Sequence, residues 1–450
     1  MITPISILDF LHFDCPTMEQ KNALLAMQSF IKEEQIADFL ILCGAAGTGK
    51  TSITSALIGF MNSKDVAYKI AAPTGRAARI LGRKSNTQNS TIHSLIYDVK
   101  PNAETGEVLF SLKRNEDSNA TIYIIDEASM VSSIPDNSEL NLFRSPHSLL
   151  SDLVRFVKGG NSKSKVIFLG DRNQLPPVHE LESMALRPDY LASEFGWKGD
   201  VHFLTEVKRQ EDGSYIMKNA IALREAIDDQ RKVVNIIGFK FSSGFGAAEK
   251  YTEDYLERGS EYCISIACSH KQNAFFNNQV REKLFGKNRK IIEPKDLLLV
   301  TQKWSRNGAE LYSGDHVTVE EIRMDAIEVV AGLHFVPIKL KSKSIAGKEE
   351  IIEDYLLLES VNNPSGQLLL ADEKRLRFER NTKNKVYRES SFPSDDRYVG
   401  AIRLTYGHSI TCHKAQGGEW EKVYMNEFGI PSLKYQYTAI TRAKTNLVRY

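Results

Sequence analysis

Residues 39–55 read FLILCGAAGTGKTSITS, an apolar run that breaks into glycines, reaches a lysine and a threonine, and turns apolar again. Phe39–Cys43 carries no polar residue, which suits a strand buried on both faces. The next residues fit the pattern Gly44-x-x-x-x-Gly49-Lys50-Thr51. Glycines here let backbone N–H groups turn inward around an anion, and a helix beginning at the lysine adds the partial positive charge of its N-terminus. Lysine then reaches the β- and γ-phosphates, and the threonine hydroxyl ligates Mg²⁺. Gly44, Ala45, Ala46, Gly47, Thr48, Gly49, Lys50, Thr51 and Ser52 are therefore the expected seat of a nucleoside triphosphate.

Working outward, VAYKIAAPTGRAARIL (66–81), TIYIIDEASMV (121–131) and KVIFLGDRNQLPPV (165–178) each read as a buried strand followed by a turn or helix. That alternation predicts an α/β fold with a parallel sheet, its chemistry at the strand ends. Between them, SLIYDVK, PNAETG and EVLFSLKRN predict two short strands and a turn, a hairpin over 94–115 with Tyr97 and Phe110 as its apolar residues. A second α/β series starts after Arg209 with YCISIACS and QNAFFNNQVREKLFG. From Asp296 to Arg397 the pattern becomes LLLVTQ, HVTVEEI, FVPIKL, DYLLLES and QLLLAD, short apolar runs that predict a small β-barrel-like insertion. The α/β pattern resumes at VGAIRLTYGHSIT and runs to the last residue.

With 450 residues the chain is too long for a single core. Its 42% hydrophobic and 26% charged residues are ordinary for a globular protein, and a net charge of +1 neither requires nor excludes a nucleic-acid partner. No apolar run is long enough to span a bilayer, and MITPISILDF lacks the basic start of a signal peptide, so a soluble cytoplasmic protein is expected. The five cysteines show neither CxxC nor metal-ligand spacing and read as reduced, small buried side chains.

Further residues carry the expected chemistry. In IIDEAS, Asp126 would hold Mg²⁺ and Glu127 would orient and deprotonate an attacking water; a lone acid there would more often cap a helix. Gln174 of GDRNQLPPV has an amide suited to the γ-phosphate or that water, and two prolines stiffen its turn. Arg209 in LTEVKRQ and Arg442 in AITRAK stand beside strand-like and helix-like runs, where a guanidinium can stabilise a transferring phosphoryl group.

GAAGTGKT, APTGRAARIL, STIHS, IIDEAS, GDRNQLPPV, LTEVKRQ, ITCHKAQGGEW and YTAITRA occur in the order and type of the superfamily 1 helicase motifs. Across nearly its whole length the chain resembles the 5′-to-3′ branch of that superfamily, most closely the Dda-like phage helicases, with RecD-like and Pif-type helicases as relatives. The resemblance implies two RecA-like P-loop domains, one formed by 1–80 and 120–208, the other by 209–295 and 398–450. A hairpin or pin insertion would occupy 81–119 and a barrel-like insertion 296–397. It implies ATP with Mg²⁺, Gln20 as adenine reader, Glu419 near the ribose, and Arg209 and Arg442 at the γ-phosphate. Pro73, Thr74, Thr91, His93, Thr411, His413 and Lys414 would contact the strand; for His93 the rival reading is a packed core histidine, and for Gln20 a polar residue on a helix face.

The implied activity is 5′-to-3′ translocation on single-stranded DNA and unwinding of duplex. The implied partners are single strands and single/double-strand junctions, with single-strand-binding, replication or recombination proteins beside a monomeric enzyme. An ATP-driven clamp that remodels nucleoprotein without unwinding and an RNA helicase remain alternatives. SHK at 269–271 departs from the family's Thr-Asn pair, so no strand contact is carried over there. The basic stretch RLRFERNTKNKVYR reads as a solvated face in preference to a DNA contact.

Overall fold

The computed structural model describes residues 5–13, 15–32, 36–78, 90–101, 108–135, 143–206, 214–343 and 348–450. The chain divides into two compact units. The first comprises Met1–Asp98, Phe110–Asn137 and Ser145–Ser214; the second comprises Val99–Leu109, Ser138–Arg144 and Tyr215–Tyr450. No helix among the described residues is long and apolar enough to cross a membrane.

The first unit is built on a six-stranded sheet. Its spatial order is Ser90–Thr91, Tyr68–Ala72, Ile122–Ile125, Lys165–Gly170, Phe39–Gly44 and Gly199–Leu204, with every pairing parallel. Phe39–Gly44 lies between two neighbours and is buried along its whole length. Its side chains alternate between two cores, Phe39, Ile41 and Cys43 on one face and Leu40 and Leu42 on the other. Each such aliphatic or aromatic side chain contributes about 1.5–3 kcal/mol on burial, which is why no polar residue interrupts the run. The first core is closed by helix Leu149–Gly160, the second by helices Met18–Phe30 and Lys50–Ser63.

The hairpin strands are Tyr97–Pro101 and Val108–Leu112, and the latter pairs in parallel with Phe143–Arg144, one contribution of the 132–165 segment. The turn at 102–107 lies outside the described residues. Tyr97 and Phe110, the hairpin's apolar residues, are packed at its base. Tyr97 is buried, its hydroxyl donates to Asp152 Oδ2 at 2.8 Å, and its ring stacks on Phe110 with centroids 5.0 Å apart.

The second unit has a five-stranded parallel sheet in the order Phe239–Lys240, Ala443–Arg449, Trp420–Met425, Cys263–Ala267 and Ser409–Thr411. Leu297–Val300 and Leu404–Tyr406 pair antiparallel and open a separate antiparallel sheet that also contains His316–Ile322, Leu333–Lys343 and Glu349–Leu357. This region is less purely β than its apolar runs suggest. QLLLAD leads into helix Leu370–Lys383 instead of forming a strand, and Lys385–Ser390 is helical too. The helix escapes a hydrophobic reading because charged residues fill buried positions on it. Glu373 is 4% exposed and Arg377 4%, and the Glu373 carboxylate binds both Arg377 and Arg403. Burial alone would raise that carboxyl, but Arg403 and Arg377 hold it down at about 2. Arg380 pairs with the buried Asp396, whereas Arg375, Lys383 and Lys385 pair with Asp372, Glu379 and Glu389 at the surface, so much of the basic stretch is a solvated, internally paired face.

Candidate nucleotide-binding site

The loop after Phe39–Gly44 turns on two glycines in the left-handed region, Gly47 at φ 84° and Gly49 at φ 89°. A side chain at Gly49 would be strained by its backbone and would meet Gln20 Nε2 at 2.7 Å; a Cβ on Gly44 would meet Thr48 Oγ1 at 2.6 Å. Gly49 is also the N-cap of helix Lys50–Ser63 and supplies no side-chain cap, which leaves the first-turn N–H groups to an anion. Lys50 Nζ donates to the carbonyls of Gly44 at 2.5 Å and Ala45 at 3.0 Å, placing its ammonium over the loop.

Gln20 braces this loop from behind. It is 2% exposed. Its Oε1 accepts from Thr17 N and its Nε2 donates to the Thr48 carbonyl, both at 2.9 Å. Thr17 Oγ1 in turn accepts from Gln20 N, completing a capping box on helix Met18–Phe30. The structural role is thus more than that of a polar residue on a helix face, and the Thr17-x-x-Gln20 spacing is the signal for it.

Asp126 and Glu127 follow strand Ile122–Ile125 at the edge where the P-loop also emerges. Asp126 Oδ1 accepts from Glu127 N at 2.9 Å, and Glu127 has φ 49° and ψ 39°. A non-glycine residue in that conformation stores strain that clusters at functional sites. Gln174, after strand Lys165–Gly170, is 3% exposed, and its side-chain oxygen accepts no hydrogen bond among the described residues. A buried amide oxygen of that kind costs about 1–3 kcal/mol, a cost that a ligand donor or water removes. Cys43, behind the loop, is an inert thiol that burial pushes up to about 11.

These residues fit a magnesium nucleotide. Gly44 and Gly49 have no room for side chains, the Gln174 oxygen has no partner among the described residues, and Thr51 and Asp126 offer hard oxygen donors. Among the described residues no group of three or more His, Cys, Asp or Glu gathers elsewhere as a metal site. Mg²⁺ suits the sparse set here, since it takes one or two protein oxygens and completes its shell with phosphates and water. When bound it supplies charge neutralisation at the β- and γ-oxygens.

In the second unit, Arg442 sits between helix Leu433–Ile440 and strand Ala443–Arg449 and is 3% exposed. Its guanidinium donates to the carbonyls of Thr438 and Gly418 and to Thr441 Oγ1. Glu419 is half-buried just before strand Trp420–Met425. Arg209 lies outside the described residues.

The AAA domain family matches residues 18–235, and the UvrD-like helicase C-terminal domain family matches residues 406–448. The ATP-dependent DNA helicase dda of Enterobacteria phage T4 is 28% identical over 288 residues, covering 62% of this chain and 60% of that protein. The chain is similar to superfamily 1 helicases of the Dda, RecD and Pif1 kind. The ATP-dependent RecD2 DNA helicase of Deinococcus radiodurans is 30% identical over 139 residues, 31% of this chain and 16% of that protein. The chain thus spans 60% and 16% of the lengths of these two relatives. A solved structure of Pif1 helicases, described as unwinding forked dsDNA as two coordinating copies, superposes with a TM-score of 0.50. It is 16% identical and covers 97% of this chain and 92% of its own, and it shares the fold.

The segments read from the sequence as strand contacts share one local design. Thr74, Thr91 and Thr411 each cap a short helical turn, accepting at Oγ1 from the backbone N–H of Ala77, Ser94 and Lys414. Thr91 and Thr411 each end a parallel strand. Pro73 is half-buried next to Thr74, and His413 is half-buried next to Lys414. His93 is exposed, so it is not a packed core histidine; its ring lies 5.6 Å from Phe110 and 5.8 Å from Tyr97. Ser52 is exposed and Thr51 half-buried at the start of the P-loop helix. The structure brings Gln20, the P-loop, Asp126, Glu127 and Gln174 into the first unit and Thr411, His413, Lys414, Glu419 and Arg442 into the second.

Proposed function

We propose that the protein is an ATP-dependent DNA helicase that moves 5′ to 3′ along single-stranded DNA and unwinds duplex at a junction. What carries this reading is the set assembled along one edge of the parallel sheet: a P-loop braced at Thr48 with Lys50 over it, Asp126 beside a strained Glu127, and a buried Gln174 oxygen with no partner among the described residues. A P-loop used only to hold nucleotide needs no residue like Glu127 to orient water.

In the proposed cycle, Lys50 holds the β- and γ-phosphates, Thr51 and Asp126 hold Mg²⁺, and Glu127 takes the proton of the attacking water. Gln174 senses the γ-phosphate, while Arg442 and Arg209 stabilise the transferring group. For Arg442 this requires exchanging its present carbonyl partners for phosphate oxygens, so its engagement is tied to movement in the second unit. Gln20 reads adenine with the amide lone pair and hydrogen that its structural bonds leave over, and Glu419 approaches the ribose. Closure of the two RecA-like domains on ATP and their parting after hydrolysis pass the strand along, gripped by Pro73, Thr74, Thr91, His93, Thr411, His413 and Lys414.

The test is unwinding of two short duplexes, one with a 5′ tail and one with a 3′ tail, using wild type and Lys50→Ala. Unwinding of the 5′-tailed substrate alone, absent in the variant, is the expected result. ATP hydrolysis stimulated by single strands without unwinding of either substrate overturns the helicase reading in favour of a translocating clamp. Activity confined to RNA duplexes overturns the DNA assignment.

A further inference from the structure

The second unit contains a cleft of about 250 Å³ that the nucleotide chemistry does not use. It is lined by helix His270–Phe285, the strand Ser409–Thr411 with Lys414 after it, Leu299 and Thr405–Tyr406 of the paired strands Leu297–Val300 and Leu404–Tyr406, and the Val361–Pro364 stretch of the antiparallel insertion. Its titratable lining groups are His270, Tyr406 and Lys414, and no carboxylate lines it.

Most of the polar lining is already committed. The Tyr406 hydroxyl donates to the Ile291 carbonyl at 2.6 Å. Asn277 bonds both the N–H and the carbonyl of Ser409, and Asn273 accepts from the Ser409 hydroxyl. Two basic groups are left. Lys414 Nζ meets no acceptor among the described residues, and burial pulls its pKa below the ordinary lysine range. His270 donates to the Pro364 carbonyl, which leaves its other ring nitrogen available, and burial and then Lys414 hold its pKa down. A half-buried ammonium beside an imidazole, with no acid near either, is a site in want of an anion.

We propose that this cleft seats one backbone phosphate of the single strand, held by Lys414 and His270, with Asn362 and Pro364 of the insertion as its outer wall. This rests on the nucleic-acid reading above and deepens it. Lys414 already stands among the strand contacts the resemblance implies, whereas His270 lies in the SHK segment that departs from the family pattern, and the wall comes from the insertion. The groups facing His270 are Lys414, Tyr406 and the Pro364 carbonyl. In the free protein they leave the ring neutral near pH 7; a phosphate arriving beside it restores the proton. Strand binding then takes up a proton and tightens as the pH falls.

The test uses the full chain and fluorescent oligothymidylate and oligouridylate, with anisotropy read across a salt series at about pH 6 and about pH 8. His270→Gln is expected to remove the pH dependence, and Lys414→Gln to weaken binding by about tenfold. The two changes together are expected to reduce the log–log salt slope measured at about pH 6 by about 0.7, the value for one phosphate on a single strand. Asn362→Arg, on an exposed wall residue, adds a cation and is expected to raise the slope by a similar amount. Wild-type binding with all three variants melting and binding like wild type overturns the cleft assignment and leaves the function standing. Failure of wild type to bind either polymer overturns both. Equal effects on the two polymers identify the phosphodiester as the recognised group, and effects on the RNA alone overturn the assignment to a DNA strand.

Discussion

Replacing Gln20 by alanine tests whether the P-loop is braced from outside itself. The substitution removes the acceptor for Thr17 N and the donor for the Thr48 carbonyl, both bonds at 2.9 Å, from a side chain only 2% exposed. Two neutral hydrogen bonds contribute about 1 kcal/mol each, and Thr48 is fully buried, so its orphaned carbonyl adds a desolvation cost; the sum is about 2–4 kcal/mol. In a unit of this size each kcal/mol moves the midpoint by about 2–4 °C, which gives a fall of roughly 4–16 °C. The assay is thermal melting of the full chain without nucleotide, read beside the affinities for ATP and GTP. A brace predicts the lower midpoint and an equal loss for both nucleotides, because what suffers is the loop that holds phosphate. Gln20→Glu, which keeps an acceptor for Thr17 N but sets a carboxylate oxygen against the Thr48 carbonyl in a buried site, should fall at least as far. An unchanged midpoint with a selective loss of ATP would refute the brace and leave adenine recognition as the residue's whole role.

Three other outcomes are expected. Glu127→Gln should lower ATP hydrolysis by about 10²–10⁴-fold with nucleotide affinity retained, read by single-turnover kinetics and nucleotide titration. Glu373→Gln leaves the guanidinium groups of Arg377 and Arg403 buried without their carboxylate, so urea unfolding should show a loss of about 3–5 kcal/mol. His408 is fully buried, and burial holds its pKa at about 3 against an unfolded value of 6.5. Its depressed folded pKa means that the unfolded chain takes the proton first, so stability is full above about pH 6.5 and falls as the pH drops toward 3. By pH 5 the loss is about 2 kcal/mol, and His408→Phe should remove that share of the slope between pH 7 and pH 5.

The parts of the fold that the sequence reveals are those where burial and chemistry act on neighbouring residues. Phe39–Cys43 is apolar because both faces of its strand are covered, and the glycines beside it are spaced for a phosphate; a local pattern is enough to read both. Helix Leu370–Lys383 lacks an apolar signal because its inward positions hold Glu373 and Arg377; the marks it does carry are the i,i+4 pairs Glu373–Arg377 and Glu379–Lys383, while the third partner, Arg403, is remote in the chain. Gln20 stands out for its place ahead of the P-loop, yet its hold on Thr48 depends on a helix and a loop meeting in space. His270 lies in a segment that departs from a family pattern, and only the cleft shows why a basic ring there has something to do. Tyr97 and Phe110 stand out as apolar residues of a hairpin, and the structure packs them on each other and beside the His93 ring, with the Tyr97 hydroxyl on Asp152.

The antiparallel insertion leaves and rejoins the second unit through adjacent strands, with Leu298 opposite Tyr406, Leu299 opposite Thr405 and Val300 opposite Leu404. Some hundred residues therefore begin and end at a single doorway one strand-spacing wide, about 5 Å. Joining Val300 to Leu404 through a two-residue Asn-Gly turn would close an ordinary hairpin, but it would uncover Leu298, Val300 and Leu404, whose core is shared with the insertion, and would remove the Pro364 carbonyl that His270 meets. The point of attachment is thus simple, while the apolar core and the cleft beside helix His270–Phe285 tie the insertion to the frame that carries it.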